Sequence, residues 1–511
     1  MSFKKIELNE EFVKALDLIE NSEKSIFITG KAGTGKSTLL NYFREKSNKK
    51  FVVLAPTGVS AVNVKGQTIH SFFNFKPDIT PLSANKIRPI DKDIYKELEM
   101  IVIDEISMVR ADLLDSIDIF LRKYGKSKSK PFGGIKMVFI GDLYQLPPVL
   151  KNRDSSAYFA QYSTPYFFSA HVFSSLDMEF VELTKIYRQS DDLFIEILNK
   201  IRNSTVTNDD IEMLNRRVIP DFKEDDGYIY LTTTNDLAEE INLSKLESLD
   251  GKLYTFKGEI KGDFSKEDLP TQPILELKKS AQVMLLNNDS FGRWINGSIG
   301  KIIDFYTEEE IIRVKLNDGN IVEVTPYEWD IFRFYYNKKE NRIESETLGS
   351  FIQYPLKLAY AVTIHKSQGK TFDKVIIDLG RGTFSSGQLY VALSRCTTLD
   401  GIILKRPIKM GHIKLDKEVV KFLTSYQYSL SEKKTPIEEK IKMLEICLKE
   451  KKSIEIVYLK TKDEKTKRRI IPLQIGEFEY SSKKFLGLKA HCLLRNEERV
   501  FRIDRILEIK E

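Results

Sequence analysis

The stretch SIFITGKAGTGKSTLL, Ser25 to Leu40, decides the fold of the N-terminal part of the chain. A short apolar run leads into the pattern G-x-x-x-x-G-K-S at Gly30–Ser37, and a helical run follows. Glycines in such a loop let backbone N–H groups surround phosphate oxygens, and the helix N-terminus adds its dipole. A chance glycine-rich turn is the alternative, and the strand–loop–helix context argues against it. The stretch therefore predicts a nucleotide-binding P-loop.

The loop residues are expected to hold the phosphates and a metal ion, so the predicted cofactors are ATP and Mg²⁺. Lys36 would reach the β- and γ-phosphates, and the Ser37 hydroxyl would ligate Mg²⁺. The predicted nucleotide contacts in the loop are Gly30, Ala32, Gly33, Thr34, Gly35, Lys36, Ser37 and Thr38.

A second apolar run, MIVIDEIS, ends in two acids. Asp104 is predicted to hold Mg²⁺, and Glu105 is predicted to orient or deprotonate the attacking water. Acids at strand ends also cap helices, and the motif alone does not separate the two interpretations. Its position downstream of a P-loop favours the catalytic one.

The run VFIGDLYQLPPV, Val138 to Val149, leaves a strand with Asp142 and Gln145 and then two prolines, which cannot continue sheet pairing. On a neighbouring strand of a P-loop sheet, the Gln145 amide is predicted to donate to the γ-phosphate and to lose that bond after hydrolysis. Pro147 and Pro148 would stiffen the exit, so that the loss is transmitted. The alternative is that Gln145 only caps a helix.

Two arginines of a second α/β unit are hypotheses for groups that contact the transferring phosphate: Arg188 in KIYRQ and Arg395 in YVALSRC. Such a cationic finger changes the rate by roughly 10³–10⁵. Because both would come from the second unit, hydrolysis would depend on closure of a cleft between the units. Many arginines form only surface ion pairs, and chain position alone does not select these two.

Size and composition bound the class of protein. A chain of 511 residues is too long for one hydrophobic core, so we expect three or more structural units. Hydrophobic residues at 41% and charged residues at 30% are typical of a soluble globular protein, and the net charge of +6 permits a nucleic-acid groove without demanding one. Three widely spaced cysteines argue against a disulfide framework or a zinc site. No apolar run approaches the roughly 18 residues of a membrane span. These features predict a cytoplasmic, nucleoid-associated protein.

Patterning along the chain predicts several parts. Apolar runs spaced by helical patterns in the first third predict buried parallel strands, and a second α/β unit begins near LTKIYRQ and resumes at YPLKLAYAVTIHKSQG. Between about Lys252 and Tyr354, short alternating strands predict a small antiparallel barrel inserted into that unit. SEKKTPIEEK is predicted as a linker, and the last segment has a helix and strands of its own.

These segments together resemble the PIF family of helicase superfamily 1, in its RecD-like branch. The match covers about Asn9 to Ile408, and it rests on GKAGTGKS, IDEIS, LAPTGVSAVNVKGQTIHSFF, the span from EISMVRADLL to IGDLYQLPPV, YAVTIHKSQGKTFDKV and GQLYVALSRC. The resemblance implies an α/β fold with two RecA-like P-loop helicase domains, a small inserted β-barrel and a C-terminal β-rich domain. The implied parts are a first RecA-like domain (1–180) with a small wedge insertion near 74–95 and a second RecA-like domain (181–251 with 355–412). The other implied parts are the inserted barrel (252–354), a linker (413–436) and the C-terminal β-rich tail (437–511).

The resemblance also implies an activity: an ATP-dependent DNA helicase that moves 5′ to 3′ on single strands. It implies duplex, forked, G-quadruplex or RNA–DNA substrates in replication, repair or telomere-type maintenance, and we expect a monomer in solution. Many relatives read adenine with a glutamine near the N-terminus, where this chain has LNEEF with Phe12 near that position, so Asn9 is the candidate adenine contact. Gly369 is a further predicted nucleotide contact. A RecD-like translocase without strand separation and a nucleic-acid-sensing regulatory ATPase stay open as alternatives.

The family's DNA-contact regions correspond to two clusters in this chain. The predicted DNA contacts are Thr57, Gly58, His70, Phe73, Thr363, His365, Lys366, Ser367 and Gln368. Small polar groups suit phosphates, and an aromatic ring suits the face of a base. Core packing is the alternative for Phe72 and Phe73. The segment NFKPDITPLSANKIRPID is predicted either as a strand-separating wedge or as an ordinary surface loop.

Roughly the last seventy residues resemble a WYL domain, with LGL (Leu486–Leu488) where the Trp-Tyr-Leu run would stand. The run RVFRIDRI is close to the pattern of that family. Its basic side chains are Arg468, Arg469, Arg495, Arg499, Arg502 and Arg505. They suit single-stranded nucleic acid or a nucleotide ligand, and Arg495, Arg499 and Arg502 are the predicted DNA contacts. The alternative is a solvated strand face that only completes the fold.

Overall fold

The computed structural model describes residues 8–150, 158–189, 191–222, 227–265, 269–380, 382–480 and 482–510. The predicted domain limits at residues 1 and 511 lie outside these ranges. The chain forms two compact units. One unit joins Met1–Leu198 with Val206–Lys414, and the other joins Asn199–Thr205 with Leu415–Glu511.

The first domain of the larger unit is built on a parallel sheet. Its strands are β1 (Ser25–Gly30), β2 (Phe51–Ala55), β3 (Gln67–Thr68), β4 (Met100–Ile103), β5 (Lys136–Gly141) and β6 (Met178–Leu183). They pair in the order β3-β2-β4-β5-β1-β6, and every pair is parallel. β1, β4 and β5 are buried at every position, which explains their continuous apolar sequences. This order places the carboxyl ends of β1, β5 and β4 side by side.

Helices connect these strands. Their bounds are α1 (Glu10–Asn21), α2 (Lys36–Lys46), α3 (Gly58–Asn63), α4 (Ile69–Phe73), α5 (Pro81–Ala84), α6 (Asp93–Glu97) and α7 (Ala111–Tyr124). Asn9 and Thr57 begin α1 and α3 as N-caps, since each side chain accepts a backbone N–H of the first turn. At the other end of α1, the buried Lys136 ammonium donates to three carbonyls, including those of Leu18 and Ile19. Side-chain bonds to backbone thus fix the helices on the sheet.

The second α/β domain begins with α8 (Asp192–Arg202), α9 (Asn208–Asn215), β7 (Ile229–Thr232) and α10 (Asn235–Glu247). It is then interrupted by the predicted antiparallel insertion. The strands of the insertion are β8 (Tyr254–Lys257), β9 (Glu259–Gly262), β10 (Ile274–Leu277), β11 (Gln282–Leu285), β12 (Ile299–Tyr306), β13 (Ile311–Leu316), β14 (Ile321–Val324), β15 (Tyr327–Asn337), β16 (Arg342–Gln353) and β17 (Leu356–Leu358).

The inserted strands enclose a core of their own. Five of them pair as β14-β13-β12-β11-β17, and β15, β16 and β9 form a second sheet. Buried Trp294, Ile312 and Val314 belong to this core. Its last strand, β17, extends past residue 354, the limit predicted from the sequence, because Leu356 is one of the buried core residues.

After the insertion the second α/β domain resumes with β18 (Ala361–Thr363), β19 (Val375–Ile377), α11 (Gln388–Leu393) and β20 (Ile402–Leu404). The strands pair in parallel in the order β18-β7-β19-β20, so residues from both sides of the barrel build one sheet. The helix α11 is buried at all six positions. The predicted α/β architecture, with a second parallel sheet and an antiparallel insertion, is confirmed.

The smaller unit contains α12 (Lys417–Lys434), α13 (Ile437–Lys449), β21 (Ile454–Leu459), β22 (Lys465–Tyr480), β23 (Lys483–Cys492), β24 (Glu497–Arg502) and β25 (Ile506–Lys510). Its antiparallel sheet has the order β24-β23-β22-β21-β25. Ile456, Leu488 and Ile506 form its core together with Leu444 of α13. The β-rich tail predicted from the sequence is therefore present.

Most of the predicted linker, residues 413–436, is the 18-residue helix α12. Its buried positions include Val419, Leu423, Gln427 and Ser431, which recur every four residues along one face. Two of these four are polar, so the buried stripe is apolar only in its first half. Among the described residues, no helix is long and apolar enough to cross a membrane.

Candidate nucleotide site and nucleic-acid contacts

The glycine-rich loop between β1 and α2 has a shape that only glycine allows. Gly33 and Gly35 have φ angles of 82° and 86°, in the left-handed region. A Cβ on Gly30 would lie 2.6 Å from Thr34 Oγ1 and 2.8 Å from the Leu183 carbonyl oxygen. No side chain caps the N-terminus of α2, which leaves its first N–H groups for a ligand. The loop therefore fits a polyphosphate.

Lys36 and two acids meet beside this loop. The Lys36 ammonium donates to the carbonyls of Gly30 at 2.7 Å and Lys31 at 3.0 Å, and burial holds its pKa below the usual value. Burial and the adjacent Glu105 raise the pKa of Asp104 to about 7, and burial also raises the pKa of Glu105. Ser37 and Thr38 are exposed on the first turn of α2. The raised pKa values show that the nearby cations do not fully offset the cost of burying these two carboxylates.

Gln145 connects the end of β5 to the second α/β domain. Its buried side chain donates from Nε2 to Asp142 Oδ2 at 3.2 Å, and its Oε1 accepts from Gln368 Nε2 at 3.4 Å. Gly387, just before α11, approaches the same segment so closely that a Cβ there would lie 2.5 Å from the Gln145 carbonyl oxygen. The Gln145 amide is therefore in a position to respond to both domains.

Arg188 packs against the P-loop from the other side. A Cβ on Gly33 would come within 2.5 Å of Arg188 Cβ, and Arg188 Nη1 donates to the Ser394 carbonyl at 3.2 Å. Burial lowers the pKa of its guanidinium. The strand exit that carries Arg188 is thus in contact with both the loop and the segment that follows α11.

Arg395 lies at the end of α11 and is only 1% exposed. Its guanidinium donates to the Val391 carbonyl and the Ser394 hydroxyl at 3.0 Å each, and to the carbonyls of Ser367 and Lys370 at 3.4 Å each. Within the described ranges, all of its hydrogen-bond partners are neutral oxygens. Burial, with a contribution from Arg188, lowers the pKa of Arg395 to about 9. A buried cation is held here with no carboxylate bonded to it.

Comparisons with known proteins identify the family. A model for PIF1-like helicases matches residues 7–212, and a model for the WYL domain matches residues 439–511. The ATP-dependent DNA helicase Pif1 of Bdellovibrio bacteriovorus is 34% identical over 415 residues, which are 79% of this chain and 89% of that protein. The chain belongs to the PIF1-like helicase family.

Solved structures agree with this assignment. The crystal structure of Bacteroides sp Pif1 in complex with ADP-AlF4 is 40% identical, covers 82% of this chain and 97% of its own, and has a TM-score of 0.77. Bacteroides Pif1 bound to single-stranded DNA, with 39% identity and the same coverage, has a TM-score of 0.59. The predicted family, the two RecA-like domains and the WYL-type tail are confirmed, and so is the predicted enzyme class at the level of the family.

Sequence reasoning missed two residues in the nucleotide site of this PIF1-like helicase. The Tyr390 hydroxyl accepts the backbone N–H of Ala32 at 3.0 Å, across 358 residues of chain. Gln189 Nε2 donates to the carbonyls of Ser394 and Cys396 at 3.1 Å each. Both stand in motifs that had been singled out for an arginine, YVALSRC and KIYRQ. The position of Gln189 directly after Arg188 was an available signal, whereas nothing in the local sequence indicates the contact of Tyr390.

Asn9, the candidate adenine contact, is engaged within the protein. Its Oδ1 accepts the Phe12 N–H at 2.8 Å, and its Nδ2 donates to the Tyr187 hydroxyl at 3.2 Å. The Phe12 ring lies 3.1 Å from the place of a Cβ on Gly35. Phe12 and Asn9 are therefore close to the P-loop, but the amide oxygen of Asn9 is occupied as a helix cap.

The predicted DNA contact through Phe73 is wrong. The ring is 0% exposed and packs with Phe72, Tyr95 and Phe120 at centroid distances of 4.9–6.0 Å. Phe72 is buried as well, so both members of the pair belong to the core. A ring without exposed surface cannot stack on a base.

Two of the other predicted contacts in this region, Thr57 and His70, keep partial access, whereas Gly58 does not. Thr57 accepts the Ser60 N–H as the cap of α3, and Gly58 is buried in the first turn of that helix. His70 is half-buried, and burial with the nearby Arg110 holds its pKa below the usual value. The structure brings these residues to the end of the sheet where β2 and β3 stop.

The HKSQG cluster after β18 divides into inward and outward residues. The hydroxyls of Thr363 and Ser367 are turned inward, where Thr363 Oγ1 accepts the Lys366 N–H and Ser367 donates to the Ile364 carbonyl at 2.7 Å. The predicted phosphate contacts by these two hydroxyls are wrong, because they close the turn instead. His365, Lys366 and Gly369 are exposed, and the half-buried Gln368 reaches Gln145.

The arginines of the WYL-type tail also divide. Arg499 and Arg502 pair with acids two residues away, Glu497 at 2.6 Å and Asp504 at 2.5 Å. Arg495 is exposed, and no side-chain partner bonds to it in the described part of the chain. Arg468 lies opposite Ile456 on the inner face of the sheet, and its buried Nη1 has no hydrogen-bond partner among the described residues.

Proposed function

We propose that this PIF1-like helicase is an ATP-dependent DNA helicase that moves 5′ to 3′ on single strands. The observation that supports this most directly is the convergence of the two α/β domains on one loop. Tyr390 of the second domain contacts Ala32 of the P-loop that carries Lys36, and Arg188 contacts Gly33. Arg395 of the second domain acts electrostatically on Glu105, which lies beside that loop. Cleavage of a triphosphate would then require the two domains to be closed together.

Each polar group at the seam has a proposed role in hydrolysis. Lys36 binds the β- and γ-phosphates, Glu105 orients or deprotonates the attacking water, and Arg188 and Arg395 stabilise the charge on the transferring phosphoryl group. Electrostatic stabilisation of this kind works best in a site that excludes water; Arg395 is buried here and Arg188 is half-buried. The residues therefore supply positioning and charge rather than covalent chemistry.

Mg²⁺ is the metal that these residues suit. Within the described ranges no group of three His, Cys, Asp or Glu side chains could hold a metal by itself. Mg²⁺ commonly binds through one or two carboxylates together with substrate phosphates and water, so Asp104 and Ser37 are a sufficient protein set. The ion would neutralise developing phosphate charge, and its field would return the pKa of the Asp104 carboxyl toward the ordinary range.

Gln145 is proposed to pass the state of the nucleotide to the DNA. In this structure its amide bonds to Gln368, the residue after Ser367 in the HKSQG turn, whose His365 and Lys366 are exposed. A γ-phosphate that took the Gln145 donor would loosen the bond to Asp142 and change the position of this turn. Opening one base-pair step costs about 1.4 kcal/mol. Binding of the DNA alone cannot give the movement a direction, so the affinity of this surface for DNA has to depend on the bound nucleotide.

The DNA contacts proposed on this surface are Thr57, Gly58, His70, His365, Lys366 and Gln368. The wedge interpretation of residues 74–95 gains support from Leu82 and Ile90, which are 85% and 74% exposed. Leu82 lies on the short helix α5 and Ile90 lies in the non-helical segment that follows, and exposed apolar side chains of this kind suit the separation of a base pair from its neighbour. Forked, G-quadruplex and RNA–DNA substrates, a role in replication, repair or telomere-type maintenance, a monomeric state and a nucleoid-associated cytoplasmic location are parts of the same proposal.

The tail is proposed to assist nucleic-acid binding through the exposed Arg495, with Arg499 and Arg502 as further contacts. Truncation should follow Lys414, where the compact units divide, because a cut at Ser431 would pass through α12. The truncated protein is expected to hydrolyse ATP and to bind DNA less tightly. Unchanged DNA affinity and unwinding would refute the role of the tail.

Polarity and coupling are tested by strand displacement. Duplexes with a 5′ or a 3′ single-stranded tail are incubated with the full chain and Mg²⁺, with and without ATP. Displacement of the 5′-tailed duplex alone, and only with ATP, is expected. Preference for the 3′ tail would reverse the polarity, and ATP turnover without displacement of either duplex would favour the translocase.

A further inference from the structure

Tyr390 occupies a central position in the nucleotide site that none of the sequence motifs assigned. It lies on α11, five residues before Arg395, and its side chain is 4% exposed. Its hydroxyl accepts the Ala32 N–H at 3.0 Å. Tyr390 also acts electrostatically on both Arg188 and Arg395, so the phenol lies close to both guanidinium groups.

The place of the hydroxyl along the loop points to one end of the phosphate chain. The Lys36 ammonium, the group that reaches the β- and γ-phosphates, rests on the carbonyls of Gly30 and Lys31. Tyr390 bonds to the next residue, Ala32. The ammonium and the hydroxyl thus approach three consecutive residues of the same loop, at the side where the terminal phosphate is expected.

We propose that Tyr390 is a catalytic residue whose hydroxyl donates a hydrogen bond to the γ-phosphate of bound ATP. The oxygen of the phenol accepts a backbone N–H of the P-loop, and its own proton is directed to the phosphate. A hydroxyl that accepts one hydrogen bond is polarised and becomes a better donor in the next. The inference rests on the proposed binding of ATP at this loop, and it adds a neutral donor to the two arginines.

The arrangement also explains why a tyrosine stands on α11. Gly387, which begins this helix, allows the carbonyls of Tyr144 and Gln145 to approach, so the helix is seated directly on the segment proposed to sense the γ-phosphate. Tyr390 adds a contact from the same helix to the P-loop. A nucleotide with a γ-phosphate therefore engages α11 at Tyr390 and Arg395 together, whereas ADP leaves both without their target.

The test compares two nucleotides in one variant. Tyr390→Phe removes only the hydroxyl, and calorimetric titration of the full chain with Mg²⁺ measures the affinity for ADP and for the non-hydrolysable triphosphate adenylyl imidodiphosphate. We expect the triphosphate affinity to fall about 10- to 100-fold, the loss typical of one deleted hydrogen bond to a charged group. The ADP affinity is expected to stay within about twofold, and kcat for hydrolysis is expected to fall with the triphosphate affinity.

Tyr360→Phe is the matched control, since the Tyr360 hydroxyl accepts a backbone N–H, that of Gln282, at the same distance of 3.0 Å. It should leave both affinities unchanged. An equal loss for both nucleotides in Tyr390→Phe, or no loss, would overturn the proposal and leave the hydroxyl a structural role in holding the loop. A general loosening of the fold would lower the affinity for both nucleotides, so the ratio of the triphosphate affinity to the ADP affinity still tests the proposal. Failure of the unsubstituted chain to bind either nucleotide, or unchanged binding in Lys36→Ala, would instead refute the nucleotide site itself.

Discussion

The arginines of the nucleotide seam and those of the WYL-type tail are held in opposite ways. Arg395 is buried and bonded to neutral oxygens only, within the part of the chain that the structure describes. Arg499 and Arg502 keep 47% and 33% of their side chains exposed, and each is bonded to a carboxylate two residues away. Arg395 is therefore bonded directly only to neutral groups, with Glu105 and Asp142 acting on it through space, whereas Arg499 and Arg502 each bond directly to an acid.

The difference indicates where an anion is expected. A buried charge without an opposite charge is unfavourable, so it persists where a ligand completes the pair. Exposed ion pairs are each worth only about 0–1 kcal/mol, and they screen a cation from a distant phosphate. Counting arginines thus overstates the basic character of the tail. Arg468 differs from Arg499 and Arg502, because it lies on the inner face of the tail sheet and its Nη1 has no hydrogen-bond partner among the described residues.

Removal of Arg395 should give the largest effect. Arg395→Ala is expected to lower kcat for ATP hydrolysis by about 10³–10⁵, or roughly 4–7 kcal/mol in the barrier, while ADP still binds. Arg406→Ala is the control, because Arg406 is an exposed arginine of the same domain that pairs with Asp378 at 3.5 Å. Steady-state hydrolysis with saturating single-stranded DNA measures both, and equal activity of the two variants would break the comparison.

Substitutions of Phe73 test whether a buried apolar ring stabilises the fold without taking part in DNA binding. Phe73→Ala should lower the free energy of unfolding by about 3–5 kcal/mol, the usual loss for a large buried ring. Phe73→Leu should cost much less and should bind oligonucleotides as tightly as the unsubstituted protein. Chemical denaturation and fluorescence anisotropy provide the two measurements. A folded Phe73→Leu variant with greatly weakened DNA binding would restore the contact rejected above.

Gln145 tests the link between the seam and the DNA surface. Gln145→Ala should reduce ATP hydrolysis about 10- to 100-fold, as expected for one hydrogen bond to a charged group, and should lower the number of base pairs opened per ATP. Gln368→Ala removes the partner of Gln145 without touching the P-loop, so it should lower only the second quantity. Normal coupling in both variants would contradict the proposed relay.

The tail arginines should give the smallest effects. The double change Arg499→Ala and Arg502→Ala should weaken oligonucleotide binding by less than about fivefold, because pairs of this type contribute about 1 kcal/mol or less. Arg495→Ala should weaken binding more than this double change does, although it removes one charge instead of two, because Arg495 is exposed and no acid bonds to it in the described part of the chain. The reverse order in anisotropy titrations would show that the number of charges, rather than the lack of an acid partner, decides which arginines matter.

The sequence predicts those parts of the site that local pattern encodes. The loop from Gly30 to Ser37, the strand-end acid Asp104 and the exit strand that carries Gln145 all combine a buried apolar run with a polar residue at its end. Arg188 and Arg395 are found through the family resemblance, since chain position alone does not select them. Their burial and their neutral partners are visible only in the structure.

Other features depend on tertiary contacts and escape such patterns. Tyr390 meets Ala32 across 358 residues, and nothing local to either residue indicates the pair. Phe73, Thr363 and Ser367 have side chains suited to DNA, but the surrounding fold turns them inward. The lysine-rich composition after Met410 predicts a linker where the structure has the helix α12, whose buried stripe is partly polar. In each case the residue type is compatible with two environments, and packing decides between them.

The central claim is that two domains close on a triphosphate and that DNA controls this closure. The most direct test is the rate of ATP hydrolysis by the full chain with Mg²⁺, measured with and without a single-stranded oligonucleotide. We predict strong stimulation by the oligonucleotide, which Arg395→Ala abolishes. A folded, active protein that hydrolyses ATP at the same rate in both conditions would contradict the account.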